Sequence, residues 1–130
     1  MIAIPIATHR KSELLNVTDV VQEALSKAGC KDGSCFLHCP HTTAGLTINE
    51  QADPAVAEDM LFFLSKLVPE DHSWTHMEGN SPAHVKASLM GGNLQLAVEG
   101  GKLQLGRWQG VFFCEFDGPR ERRIWLQITS

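Results

Sequence analysis

The sequence has no apolar run approaching the roughly 18 residues that a membrane helix requires. Its opening MIAIPIATHRK also lacks the basic-then-apolar order of a secretory signal. Both absences point to a cytoplasmic chain without a membrane partner. A basic excess is missing too: 11 Lys and Arg stand against 15 Asp and Glu, a net charge of −4, which argues against a nucleic-acid partner. The single basic cluster, PRERR at 119–123, is short and carries an acid, and reads as a solvated hairpin. The four cysteines, at 30, 35, 39 and 114, match no paired CxxC template, so reduced and mostly buried thiols are expected. There is no internal repeat, low-complexity tract or linker, no HxH or HExxH, and no Walker A or Rossmann glycine loop.

What is present is one well-punctuated unit. At 130 residues and 43% hydrophobic, the chain suffices for a single core, and residues 1–130 are expected to form one domain. VTDVVQEALSKAG carries a helical stripe of Val17, Val20, Val21, Ala24, Leu25 and Ala28, with Thr18 or Asp19 to cap it and Gly29 to stop it. DPAVAEDMLFFLSKLVP opens on an Asp-Pro pair suited to the cap and first turn and stops at Pro69. A shorter helix is signalled by SPAHVKASLMGG, with Ser81 as cap and Gly91 as stop. The remaining strong segments, MIAIPIAT, GSCFLHC, GLTIN, NLQLAVE, KLQLG, WQGVFFCEF and RRIWLQIT, read as strands, with EGG and DGPR as hairpin-type connections. The expected class is α+β: a largely antiparallel or mixed sheet with two longer helices and one short one.

Chemistry concentrates in HCPHTTAGLTINE, residues 38–50. His41 falls at a strand end, His84 in the first turn of the third helix and His76 in the loop before it. Three imidazoles from three elements suit zinc or another divalent transition metal, with a fourth position left open. His9, His38 and His72 rank lower, His38 as a packed strand residue. Glu50, Asp53, Glu58 and Asp59 offer carboxylates for magnesium or for proton transfer, although Asp53 already caps a helix. Glu115, set among bulky apolar residues in FFCEFDG, requires a histidine, arginine or metal partner. Cys114 beside it reads as an inert strand thiol. Asn80, Ser81 and the free N–H groups opening the third helix offer a seat for a phosphate, with Lys86 or Arg120 adding charge.

Three blocks in order, HTTAGLTINE, EGNSPAHVKASLMG and LGRWQGVFFCEFDGPR, resemble the YjbQ-like family, which is often labelled secondary thiamine-phosphate synthase. The resemblance covers nearly the whole chain. It implies a homotrimer with a polar pocket near the subunit contacts, which would cover Trp108 and the apolar strands. It also implies a polar centre of His41, His76, His84 and Glu115, with Thr42, Thr43, Asn49, Glu50 and Asn80 around it. Three functions follow as expectations. The first is thiamine-phosphate formation with Mg²⁺, which calls for cationic clamps that only Lys86, Arg107 and Arg120 evidently supply. The second is metal-assisted hydrolysis at a three-His ion, with Glu50 or Glu115 as base and Thr42 or Thr43 orienting substrate. The third is non-enzymatic binding of a small anionic or phosphorylated metabolite.

Overall fold

The computed structural model describes residues 1–130 as eight strands and three helices. In chain order these are β1 (Ile2–Ala7), β2 (Glu13–Asn16), α1 (Thr18–Lys27), β3 (Gly33–His38), β4 (Ala44–Glu50) and α2 (Pro54–Leu67). They continue with α3 (Ser81–Met90), β5 (Asn93–Glu99), β6 (Lys102–Leu103), β7 (Gln109–Glu115) and β8 (Glu121–Thr129). Every strand pair is antiparallel, in a five-stranded sheet of order β1-β8-β3-β5-β6 and a three-stranded sheet of order β2-β7-β4. The architecture is α+β.

Period-two alternation decides which side chains enter the core. On β8, Arg122, Ile124 and Leu126 are buried while Glu121, Arg123 and Gln127 are exposed. Ile124 and Leu126 join Ile4 and Ile6 of β1, Leu37 of β3, Leu46 of β4 and Val111 and Phe113 of β7 between the two sheets, where Val21 and Leu25 of α1 also pack. A second cluster, Leu64 of α2 with Ala83 and Ala87 of α3, packs on Cys114 and Phe116. β7 is therefore buried on both faces, which accounts for its unbroken apolar run VFFC. Each large apolar side chain so buried contributes about 1.5–3 kcal/mol.

Several local expectations are corrected. α1 is capped by neither Thr18 nor Asp19: Val17 holds the cap position, and Asn16 Oδ1, just ahead of it, accepts the Thr18 N–H at 3.1 Å. Ser81 is the first residue of α3, and Asn80 takes the cap position. α3 is as long as α1, ten residues each. EGG does turn β5 into β6, but DGPR carries the chain from one sheet to the other, because β7 and β8 do not pair. β2 was hidden in the short ELLN, too brief for a visible alternation. Asp53 caps α2 as expected, accepting the Ala55 N–H at 2.9 Å.

Two close approaches bring the polar residues together. A side chain at Gly45 would meet Gly91 O at 2.6 Å, so glycine there lets the end of α3 lie on β4, where Leu46 N–H donates to Gly91 O at 3.0 Å. A side chain at Gly118 would collide with Arg10 O and with Glu115 Cγ. The β7–β8 connection consequently passes directly over Glu115.

Candidate functional site

The β3–β4 loop, the start of α3 and the β7–β8 connection enclose a concavity of about 310 Å³ with no apolar lining residue beyond Pro40. His41, Thr42, Thr43, Glu78, Asn80, His84, Asp117, Arg120 and Arg122 make up the rest of its wall. His41, Thr42 and His84 also border a neighbouring hollow of about 540 Å³ lined by small residues, among them Ala87, Ser88, Gly91 and Gly92. His84 borders a third, with Trp74, His76 and Ser81.

Beneath the concavity lies an ion pair. Arg122 is 5% exposed and Glu115 fully buried. Arg122 donates from Nε to Glu115 Oε1 at 2.8 Å and from Nη2 to Oε2 at 2.5 Å, and Nη2 also reaches Thr43 Oγ1 at 2.8 Å. Thr8 Oγ1 donates to Oε1 at 2.8 Å and the Asp117 N–H to Oε2 at 2.9 Å, so both carboxylate oxygens are doubly engaged. Burial raises the Glu115 pKa, but the Arg122 hydrogen bonds, with those of Asp117 and Thr8, outweigh it and leave the carboxyl below its ordinary range. Glu115 thus has its partner, an arginine, and no lone pair left for proton abstraction. Arg122 Nη1 makes no protein hydrogen bond and is not sealed from solvent.

PRERR is accordingly only partly a solvated cluster: strand phase turns Arg122 inward and Arg123 outward. The exposed neighbour acts through its backbone, donating N–H to His41 Nε2 at 3.0 Å. A ring nitrogen that accepts carries no proton, so neutral His41 is the Nδ1–H tautomer. Burial and then the Arg122 charge hold its pKa below the usual histidine value. Above this layer, Asp117 Oδ2 accepts from Arg120 Nη2 at 3.1 Å and from Asn80 Nδ2 at 2.9 Å. Asn80 Oδ1 is the one buried side-chain nitrogen or oxygen without a hydrogen-bond partner.

The expected constellation is partly assembled. His41, Thr42, Thr43, Asn80, His84 and Arg120 line one concavity, with Glu115 beneath them. Ser81 and His76 border the adjoining hollow, the His76 and His84 rings meeting edge to face at 5.2 Å. Asn49 and Glu50 lie at the far end of β4, about 20 Å along the strand from Thr43. There Glu50 accepts the Ala52 N–H at 2.8 Å and Asn49 the Glu50 N–H at 2.7 Å, both engaged in the turn into α2. Lys86 is buried over the Phe116 ring, 5.8 Å from its centre, and lines none of these concavities. Arg122, Asp117, Thr8 and Glu78 were not singled out from the sequence. For Arg122 the usable signal was its phase with Ile124 and Leu126.

A family profile described as UPF0047 protein YjbQ-like matches residues 2–130. The chain belongs to the YjbQ-like UPF0047 family. A UPF0047 protein of Methanocaldococcus jannaschii is 48% identical over 96% of this chain and 91% of its own. YugU of Bacillus subtilis, another UPF0047 protein, is 44% identical over 98% and 97%. The crystal structure of a YjbQ/UPF0047 family protein from Clostridium acetobutylicum superposes with a TM-score of 0.95 at 46% identity, covering 99% of this chain and all of that one. The family's fold is therefore shared across nearly the whole of this chain.

The three-His metal set does not fit the single chain as it stands. No group of three or more His, Cys, Asp or Glu side chains is placed to hold one ion. His41 would have to surrender the Arg123 N–H to offer Nε2, whereas His76 and His84 already adjoin. Cys114 is buried, and burial pushes its thiol far above the ordinary range, which suits a packing role. His38 stacks on Phe36 and contacts Trp125 on the five-stranded sheet, again as a packed residue. No helix is long and apolar enough to cross a membrane.

Proposed function

We propose that the chain binds a small anionic or phosphorylated metabolite in the concavity over the Glu115–Arg122 pair, by hydrogen bonding and without covalent chemistry. The observation that carries this reading is the pairing of a fixed guanidinium with a fixed imidazole tautomer. Glu115 and Thr43 hold Arg122 rigid while its Nη1 remains unspent, and Arg123 leaves His41 with Nδ1–H as its remaining polar group. Donors that need no reordering bind at low entropic cost.

Catalysis has a weaker footing. Of the two carboxylates named as bases, Glu115 is saturated by four hydrogen bonds and Glu50 lies at the opposite end of β4. Pyrophosphate release in thiamine-phosphate formation calls for Mg²⁺ and free cations, yet Arg120 is already paired, Arg107 lies over Trp108 outside the concavity and Lys86 is elsewhere. Metal-assisted hydrolysis with zinc would require His41 to exchange a hydrogen bond for a metal bond. The test is titration calorimetry with phosphate, pyrophosphate and simple carboxylates, followed by the same titration on Arg120→Ala and His41→Ala. Binding that both substitutions weaken supports the reading, and turnover of any ligand with Mg²⁺ or zinc present overturns it.

Self-association belongs to the same proposal. Phe62, Phe63 and Leu67 of α2 and Trp108 are each more than half exposed, an unusual apolar load for an isolated surface. A homotrimer would cover them, and light scattering should then return three chain masses, falling to one for Phe63→Ser with Leu67→Ser.

A further inference from the structure

Resting on that reading, we infer that the ligand must itself carry a hydrogen-bond donor: the concavity selects oxyanions bearing an O–H or N–H over anions that can only accept. Three observations converge. Asn80 Oδ1 has no donor from the chain, although Nδ2 is fixed on Asp117 and so fixes which way the amide points. A buried carbonyl oxygen left unpaired carries a desolvation cost that an incoming donor removes. The wall holds acceptors as well as donors, since Glu78 and Asp117 face the same space as Arg120 and Arg122.

The charges there are also nearly balanced before any ligand arrives. Arg120 pairs with Asp117 at 3.1 Å and Arg122 with Glu115, which leaves Glu78, 3.8 Å from His76 Nε2, as the carboxylate of the wall without an arginine or lysine partner. A site with no positive excess cannot hold a fully ionised dianion by charge alone. Its affinity comes from matched hydrogen bonds, Arg122 Nη1 and His41 Nδ1–H giving, Asn80 and the carboxylates receiving. Inorganic phosphate at neutral pH retains an acid hydrogen and meets both requirements, while sulfate is equally compact and retains none.

The experiment compares dissociation constants for phosphate and sulfate at pH 7 and constant ionic strength, with glycolate and acetate as a second pair that differs by one hydroxyl. Phosphate is expected to bind about tenfold or more tighter than sulfate, the effect of one satisfied buried acceptor. A preference for the donor-bearing member in either pair supports the inference and tells whether a phosphorus or a carbon hydroxyl supplies the donor. Equal affinities within both pairs overturn it while leaving the anion pocket standing, whereas no binding by any of the four overturns the pocket reading itself. Asn80→Ala should bring the phosphate-to-sulfate ratio towards one. The wild-type ratio decides the matter even if that variant does not fold.

Discussion

The backbone N–H of Arg123 donates to His41 Nε2 at 3.0 Å across 82 positions of sequence. One strand residue thereby serves the site twice removed: its neighbour Arg122 points inward to Glu115, and its own amide sets the histidine's tautomer.

Acid should undo that arrangement in a defined window. Burial first, and then the Arg122 charge, lower the His41 pKa. The unfolded chain then binds the proton more readily, so stability is lost as pH falls from the ordinary value of 6.5 towards the lower folded value. Melting temperature should decline over that range in the wild type and decline less in His41→Gln. Glu115, whose folded value lies below 4.5, adds a further loss at more acidic pH.

Breaking the ion pair from one side should cost more than removing it. Glu115→Leu or Arg122→Met alone strands a buried charge, and each is expected to cost about 3–5 kcal/mol in urea unfolding. The double variant should cost much less than the two together, a coupling that a surface pair would not show.

Lys86→Met should raise thermal stability by a few degrees at neutral pH. The residue is 6% exposed and its ammonium makes no ion pair, while the nearby Glu70 pairs with Lys11 at 3.4 Å. Burial lowers the Lys86 pKa, so the penalty is full at neutral pH and relaxes only as pH climbs through the folded value. Phosphate affinity should be unchanged, whereas the synthase reading requires its loss.

Zinc uptake offers a separate check. With His76 and His84 in contact and His41 bound to Arg123, elemental analysis after loading should show a stronger dependence on His84→Ala than on His41→Ala. Equal dependence on both would restore the three-His site.

Much of the fold was legible because its punctuation is local. The Asp-Pro start of α2 and the stripe of α1 needed only nearest neighbours to be read. DGPR misled because the same residues that make a hairpin can also carry a chain between sheets, and only tertiary pairing distinguishes them. The same limit applied to the site. His41, Thr42, Thr43 and His84 stood out by composition, but Arg122 was judged with its charged neighbours when its strand phase placed it with Ile124 and Leu126. Glu50 was grouped with His41 because both lie in the one block HTTAGLTINE, a proximity that an extended strand turns into distance.

The four cysteines are all reduced, and all lie within the packed interior. Alkylating reagents can therefore reach them only when the sheets part, and Cys114, walled in on β7 between the inter-sheet core and the helical layer, should be the last to react. The chain carries its own clock for opening: the order in which its thiols are labelled would chart which layer separates first.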